Sequence, residues 1–360
     1  MPHTALTLNQ LLAQAVALQA SDLHLSAGRA PMVRQHGVLV TLEAATPTPH
    51  ALTHDALRMM LTPLMDEAQH AQFNEGHEVD FAFAVPELGR FRVNAFMQQH
   101  GCGAVMRHIP SGTPTLMALH TPPAIPELLT RVGLLLVTGP TGSGKSTTLA
   151  AMVQHLNTHT QQHIVTLEDP IEFVHTSDQC LITQREMGTH SQSFAHALRA
   201  ALREDPDVIL VGELRDLETI RLALTAAETG HLVLGTLHTQ GAAKTVDRIV
   251  DVFPAEEKDM VRSMLSESLN AVISQVLCKR KDGQGRVAAY EVMVGTPAVR
   301  NLIREGKVAQ LYSAIQTGRG VGMQTLDQSL AELLQQGLID VDEACTYAKY
   351  PDNLRALRTN

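Results

Sequence analysis

The stretch Gly139-Pro-Thr-Gly-Ser-Gly-Lys-Ser146 matches the phosphate-binding pattern G-x-x-x-x-G-K-[ST] at every defined position. Glycine lets the backbone curl so that its N–H groups point at phosphate oxygens. The lysine neutralises the β- and γ-phosphates of a nucleoside triphosphate, and the final hydroxyl ligates Mg²⁺. The sequence therefore predicts a nucleotide site with these contiguous members: Gly139, Pro140, Thr141, Gly142, Ser143, Gly144, Lys145, Ser146 and Thr147.

The residues on either side of this loop agree with that prediction. Gly133–Thr138 is a short apolar run, typical of a buried parallel strand, and an Ala/Leu-rich helical segment begins near Lys145. The positive end of such a helix would face the phosphates. A strand, a glycine-rich turn and a helix in this order distinguish the motif from a chance glycine turn.

Further apolar runs predict the rest of the sheet. They lie at His163–Leu167, Val208–Val211 and Leu232–Gly235, with helical stretches between them. This alternation predicts an α/β fold, a parallel sheet with helices on its faces. From Met260 to Val276 apolar residues repeat at helical spacing, so we expect the last third of the chain to be mostly helical.

The first hundred residues follow a different pattern. A helix, the strand Asp22–Ser26 and two alternating strands within 79–96 predict a small α+β domain over residues 1–108. Proline crowds residues 109–128, where we expect a linker or hinge. The nucleotide-binding domain would then occupy residues 129–360.

Composition narrows the class of protein. A chain of 360 residues with 44% hydrophobic residues is long enough for about two domains with substantial cores. The net charge of −9 opposes a nucleic-acid partner, which needs a basic surface. The start lacks signal-peptide character, and the longest strongly apolar run, residues 132–137, is too short to cross a bilayer. We expect a cytoplasmic protein without direct membrane insertion.

Hydrolysis requires a group that orients or deprotonates water, and two acidic segments compete for this role. Glu168, Asp169 and Glu172 follow the second predicted core strand, and Glu213 follows the third. Ligands of open α/β sheets bind beyond the carboxyl ends of strands, where both segments lie. Glu213 has the position of a Walker B carboxylate. For each carboxylate, an ordinary solvated charge is the alternative.

Basic side chains supply further candidates. His238 follows the fourth core strand and could contact the γ-phosphate, while His231 begins that strand. Arg90 and Arg92 are two residues apart on a predicted strand and therefore share a face, and Arg107 lies at the edge of the linker. Arginine stabilises charge on a transferring phosphoryl group. Packed histidines and surface arginines in ion pairs are the alternatives.

At these motifs the chain resembles the secretion ATPases of type II secretion and type IV pilus systems. The resemblance rests on the loop at 139–146, on LEDPIEFVH (167–175), on LREDPDVILVGELRD (202–216) and on TAAETGHLVLGTLHT (225–239). It extends from about residue 20 to residue 337 and implies a RecA-like P-loop core, a PAS-like N-terminal domain, and a homohexamer that hydrolyses ATP with Mg²⁺.

The resemblance also implies a role for each candidate. The general base falls on Glu172, and the Walker B glutamate, which holds Mg²⁺ through water beside Ser146, falls on Glu213. The remaining catalytic positions of the family fall on these residues: His231, His238, Arg90, Arg92 and Arg107.

Three features of the chain resemble those of the pilus retraction branch of this superfamily. Only about a hundred residues precede the linker, the four cysteines lack the paired spacing of a zinc site, and AVRNLIRE (298–305) resembles a C-terminal motif of that branch. The implied activity is type IV pilus retraction and twitching motility. The implied partners are an inner-membrane platform protein and a sister retraction ATPase, with the chain peripheral at that membrane.

Two other classes of function stay open at this point. One is a different motor on a similar core, such as a pilus-assembly, secretion or DNA-translocating ATPase. The other is a nucleotide-binding accessory subunit that is not a motor. DNA-stimulated hydrolysis would favour a translocase, and steady-state ATP hydrolysis by the purified chain separates a motor from an accessory subunit. A P-loop kinase would need an acceptor pocket and a lid, of which the sequence gives no sign.

Overall fold

The computed structural model describes four stretches of the chain: residues 7–35, 37–42, 51–109 and 112–356. The chain divides into two compact units, residues 1–112 and residues 113–360. Each unit has its own hydrophobic core.

The first unit is an α+β structure. Its six-stranded antiparallel sheet has the order β3-β2-β1-β6-β5-β4. Its elements are α1 Leu8–Ala17, β1 Asp22–Ser26, β2 Met32–Gln35, β3 Val38–Thr41, α2 His54–Leu61, α3 Glu67–Asn74, β4 Val79–Val85, β5 Gly89–Gln98 and β6 Gly101–Ile109.

The register of this sheet places three arginines on one face. Arg90 and Arg92 are two residues apart on β5 and therefore share a face, and Arg92 lies directly opposite Arg107 of β6. Arg107 in turn lies opposite Asp22 of β1, and its Nε forms an ion pair of 2.9 Å with the buried Asp22 carboxylate. Like charges on directly opposed residues repel each other, so the pairing of Arg92 with Arg107 is unfavourable unless an anion binds both side chains.

The second unit contains a seven-stranded sheet of order β13-β12-β7-β11-β10-β8-β9. All neighbouring pairs are parallel except β12 with β13. Its strands are β7 Gly133–Thr138, β8 His163–Glu168, β9 Leu181–Glu186, β10 Val208–Val211, β11 Leu232–Leu237, β12 Leu269–Lys279 and β13 Arg286–Val294. Its helices are α4 Ile125–Leu128, α5 Lys145–His159, α6 Phe194–Ala201, α7 Leu217–Glu228, α8 Ala242–Asp251, α9 Lys258–Ser268, α10 Pro297–Arg304, α11 Leu311–Thr317, α12 Leu326–Gln335, α13 Val341–Tyr347 and α14 Pro351–Ala356.

The central strands explain why their sequences are apolar throughout. Every residue of β7, β10 and β11 is buried, because helices cover both faces of a parallel sheet. Strands with no polar face appear in a sequence as continuous apolar runs. The bounds predicted for β7 and β10 match those in the structure.

The expectation of a mostly helical last third is wrong for its first part. The predicted helical run 260–276 ends as helix α9 at Ser268 and continues as the strand β12. Leu269–Val276 is buried and rich in β-branched residues, and a short apolar run of this kind has no periodicity that separates strand from helix. The helical part of the C-terminal region begins at Pro297.

Most of the predicted linker packs into the second unit. Leu116, Ile125 and Leu128 are buried in its core. Proline at the first positions of α4 starts that short helix, because its missing N–H is not needed there. Pro110 and Ser111, which belong to the predicted hinge, lie outside the described residues.

None of the described helices combines the length and the apolar character that a membrane span requires.

Candidate active site

The strand order of the second unit brings four functional segments to one edge of the sheet. The carboxyl ends of β7, β11, β10 and β8 lie side by side there. The phosphate-binding loop follows β7, His238 follows β11, Glu213 follows β10, and the turn with Glu172 follows β8. Parallel strands all end at the same edge, which is why residues far apart in sequence meet.

The loop at 139–146 has the backbone shape that its glycines allow. Gly139, Gly142 and Gly144 all have positive φ, at 146°, 78° and 87°. A Cβ at Gly139 would lie 2.3 Å from the Gln275 carbonyl oxygen, whereas at Gly142 it would meet open space. Gln275 of β12 fastens the loop from below, since its Nε2 donates to the Ser143 carbonyl at 2.5 Å.

These residues fit a nucleotide with its metal. The Ser143 hydroxyl oxygen is buried and has no hydrogen-bond partner among the described residues. The Ser146 side chain is exposed in the first turn of α5, where a metal beside the phosphates could reach it. The open concave side of Gly142 leaves space for phosphate oxygens.

Lys145 is the buried centre of the group. Its Nζ donates to the carbonyl oxygens of Gly139 at 2.9 Å and Pro140 at 3.1 Å. Burial lowers the pKa of Lys145, and the carboxylates of Glu213 and Glu172 act in the opposite direction. Both predicted acidic residues therefore lie close enough to act on the lysine.

A chain of polar contacts continues from Lys145 to the Walker B position. Lys145 Nζ lies 3.3 Å from His238 Nδ1, and His238 Nε2 lies 3.2 Å from Glu213 Oε1. An ammonium can only donate, so the network assigns the proton to His238 Nε2, which donates to Glu213. Arg215 binds the same carboxylate at 2.6 Å.

These neighbours keep Glu213 ionised. Burial by itself would raise the pKa of Glu213, but the hydrogen bond and charge of Arg215, together with His238, bring it below its usual value. A carboxylate that stays charged is suited to hold a cation or its water ligands.

The turn after β8 carries the other acidic candidates. Burial raises the pKa of Glu168, whose carboxylate accepts hydrogen bonds from Thr166 Oγ1 at 2.7 Å, Gln184 Nε2 at 3.1 Å and the backbone N–H of Glu172. Glu168 thus binds groups within the fold and helps to hold the turn in place. Asp169 is exposed, and Glu172 is half-buried. Of the three, Glu172 is the one that lies within electrostatic reach of Lys145 in the described contacts.

A cavity of about 370 Å³ beside the loop was not predicted from the sequence. Gly144 and Thr147 line one side, and Leu277, Ala288 and Tyr290 of β12 and β13 line the other. Tyr290 is buried, and its hydroxyl donates to the Leu119 carbonyl oxygen at 3.3 Å. Because the sequence predicts helix for part of β12, it does not place the β12–β13 hairpin next to the loop, and this side of the cavity could not be predicted.

Not every candidate joins this group. His231 precedes β11 and His238 follows it, so they lie at opposite edges of the sheet, roughly 20 Å apart. His231 Nδ1 instead bonds to the Ala226 carbonyl oxygen at 2.9 Å. Arg90, Arg92 and Arg107 belong to the first unit.

Comparisons with known proteins identify relatives of this chain. The chain is 58% identical over 351 residues to the type IV pilus retraction ATPase PilT of Pseudomonas aeruginosa, covering 96% of this chain and 99% of that protein. It is 55% identical over 325 residues to a twitching motility protein of Neisseria gonorrhoeae, covering 90% and 86%.

A solved structure described as the pilus retraction motor PilT with bound ADP aligns with a TM-score of 0.88 and 45% identity, over 98% of this chain and 100% of that one. The prediction of a RecA-like P-loop ATPase core with a smaller N-terminal domain is confirmed. Type II/IV secretion system proteins match residues 2–346, and this chain belongs to that ATPase family.

Proposed function

We propose that this chain is the ATP-driven motor that retracts type IV pili. The observation that carries the proposal is the contact chain Lys145–His238–Glu213, with Glu172 in electrostatic reach, at the edge where a triphosphate would bind. The relatives named for pilus retraction and twitching motility support retraction, and not assembly, as the movement that this motor drives.

ATP would bind with its phosphates on the loop. Backbone N–H groups and Lys145 would hold the β- and γ-phosphates in place of the loop carbonyls that Lys145 contacts now. The cavity beside Gly144 and Tyr290 would take the base. The apolar part of its lining, Leu277, Ala288 and Tyr290, suits a flat aromatic ring.

Mg²⁺ would be held by Ser146 directly and by Glu213 through water. The metal neutralises charge on the phosphates as the terminal bond breaks. Arg215 binds Glu213 at Oε1, at 2.6 Å, and a carboxylate accepts at both of its oxygens, so Glu213 can keep this contact while Oε2 accepts from the water ligands of the metal.

Glu172 would act as the general base. It takes a proton from water as the water oxygen bonds to the γ-phosphorus, and the bond from that phosphorus to the β-phosphate oxygen breaks to give ADP and inorganic phosphate. Lys145 and His238 would stabilise the charge that develops on the transferred group.

Motion would follow from the loss of that phosphate. We infer a homohexamer in which loss of the γ-phosphate breaks the contacts of His238 and of the arginines Arg90, Arg92 and Arg107, and the N-terminal domain swings back. The hinge within residues 109–128 would absorb the rotation. In the cytoplasm at the inner membrane, the ring would turn a platform protein, with a sister retraction ATPase as a further partner.

The Glu172→Gln variant tests the chemistry. It should bind ATP with parental affinity and hydrolyse it about 100-fold to 10,000-fold more slowly, because the amide cannot accept the proton. Glu256→Gln, at an exposed position remote from the sheet edge, is the matched control and should hydrolyse normally. Parental turnover by Glu172→Gln would overturn the assignment of the base.

Deletion of the gene tests the biological role. Cells should accumulate surface pili and lose twitching movement if the motor retracts pili. Loss of pili would instead indicate an assembly motor, and a purified chain that binds but never hydrolyses ATP would indicate an accessory subunit. DNA should not stimulate hydrolysis.

A further inference from the structure

The turn that carries Glu172 has no helix or strand of its own between the end of β8 and the start of β9. A half-buried irregular segment must satisfy its backbone polar groups by other means. For Ile171, Phe173 and His175 these partners are two side chains of β9, the edge strand of the sheet.

Gln184 of β9 makes three hydrogen bonds here, two to the backbone of the turn and one to the side chain of Glu168. Its Oε1 accepts from the backbone N–H of His175 at 2.7 Å. Its Nε2 donates to the carbonyl oxygen of Phe173 at 2.9 Å and to Glu168 Oε1 at 3.1 Å. One amide therefore holds the turn on the C-terminal side of Glu172 and also contacts the carboxylate that accepts the Glu172 N–H.

Glu186, two residues further along β9, holds the other side of Glu172. Its Oε2 accepts from the backbone N–H of Ile171 at 3.0 Å. Residues two apart on a strand point to the same face, so Gln184 and Glu186 both face the turn. Thr183, which precedes Gln184 on the strand, points to the opposite face and bonds to His163 Nε2 at 3.2 Å.

We propose that Gln184 and Glu186 are positioning residues that set the carboxylate of Glu172 against the attacking water. The proposal rests on the proposed role of Glu172 as base and extends it to a strand that touches no part of the phosphate-binding loop in the described contacts. Glu172 is bracketed at residues 171, 173 and 175 by bonds from this one strand. Its own carboxylate has no hydrogen-bond partner among the described residues, so it can accept from water.

The energetic reason is the steep dependence of catalysis on geometry. A displacement of a catalytic group by about 1 Å can reduce the rate by about 100-fold. Nucleotide binding depends on the loop and on Gln275 instead, which take no bond from β9 in the described contacts. Loosening the turn should therefore lower kcat and leave nucleotide affinity nearly intact.

The test compares variants of the full-length chain by steady-state ATP hydrolysis and by binding of a fluorescent ADP analogue. Gln184→Met keeps the side-chain length and removes all three bonds, so kcat should fall by about 30-fold to 100-fold with less than about a threefold change in affinity. Thr183→Val, a change of equal size on the other face of the strand, is the control and should stay within about twofold of the parent.

The glutamate supplies a rescue experiment. Glu186→Gln keeps an oxygen that can accept from Ile171 and should stay within about threefold of the parental kcat. Glu186→Met removes the acceptor and should lose about tenfold or more. This pair decides the proposal even if Gln184→Met does not fold.

A pH profile separates positioning from plain structural support. Gln184→Glu places a second carboxylate beside Glu168, and like charges raise each other's pKa. The added charge also acts on Glu172, which interacts electrostatically with Glu168 and is the proposed base, so the acid limb of the kcat profile should move to higher pH. A variant that is only less stable would lower activity evenly.

Three outcomes would overturn the proposal: parental kcat in Gln184→Met, equal losses in Glu186→Gln and Glu186→Met, or a loss of nucleotide affinity as large as the loss of kcat. Slow hydrolysis by Glu172→Gln together with parental kcat in Gln184→Met would overturn the positioning role alone. Parental hydrolysis by Glu172→Gln would overturn the base itself, and the positioning role with it.

Discussion

The phosphate-binding loop and the turn with Glu172 end at the same edge of the same sheet, yet they are held in opposite ways. The loop is contiguous, and its lysine bonds to its own carbonyl oxygens at Gly139 and Pro140. The turn is held by Gln184 and Glu186, which lie 12 or more positions beyond Glu172 in the sequence. The site thus combines a locally encoded binding element with a catalytic element that depends on the tertiary structure.

The comparison explains why the loop is recognisable in isolation. Its shape follows from glycines that adopt positive φ and from the helix that begins at Lys145. The turn has no such local signature, because the side chains that determine its backbone belong to another strand. Four predictions test this difference, from the largest expected effect to the smallest.

Removal of the positive charge of Lys145 should have the largest effect. Lys145→Ala should lower ATP hydrolysis by about 100-fold or more, since one preorganised donor to developing charge is worth that much. Phosphate release by the purified variant measures the loss. Lys244→Ala, an exposed lysine in α8, should hydrolyse at the parental rate. A Lys145→Ala protein that keeps its turnover would remove the loop from the mechanism.

Two glycines of the loop should differ in what they tolerate. Gly139→Ala would bring a methyl group within 2.3 Å of the Gln275 carbonyl oxygen, so it should lower the free energy of unfolding by more than about 3 kcal/mol. Gly142→Ala meets no atom within 4 Å and should cost only about 1 kcal/mol for its positive φ. Thermal or urea unfolding compares the two, and equal losses would contradict the observed loop shape.

The support that Gln275 of β12 gives to the loop should matter less than the loop's own residues. Gln275→Leu removes the bond to the Ser143 carbonyl and the bond that Thr148 Oγ1 donates at 2.9 Å. We expect a loss of about 1–3 kcal/mol in stability and about tenfold weaker nucleotide binding. Titration with a fluorescent ADP analogue provides the measurement, with the exposed Gln310→Leu as control. Unchanged affinity would show that the loop needs no support from β12.

The effect that leaves the protein least changed at neutral pH is a pH dependence within the turn. Burial lowers the pKa of His175 to about 4, from 6.5. Between these values the unfolded chain binds the proton more readily, so stability is retained above pH 6.5 and lost as the pH falls toward 4. At pH 5 the loss should be roughly 2 kcal/mol relative to pH 7.5.

His175→Leu should flatten that dependence. Its unfolding free energy should change less between pH 7.5 and pH 5 than that of the parent, because the titrating group is gone while the backbone N–H that bonds to Gln184 remains. Chemical denaturation at the two pH values gives the difference. An identical pH dependence in both proteins would place the acid sensitivity elsewhere.

Most of the parallel sheet could be predicted, because buried strands leave continuous apolar runs. The strands β7 and β10 were located to the residue, and β8 and β11 only needed extension by one and two residues. The edge strand β9 was not predicted, since its half-buried face carries polar residues and gives no apolar run. The apolar spacing of β12 also fits a helical period, so the sequence predicts helix there.

The sequence of this chain already contained the nucleotide loop, the four strand ends and the family, since each depends on neighbouring residues or on an uninterrupted motif. The folded structure was needed for the order of those strand ends, for the separation of His231 from His238 and for the contacts of Gln184, Glu186 and Gln275. Those contacts depend on sheet order and strand register, and pairing between distant segments leaves no periodic trace along the chain.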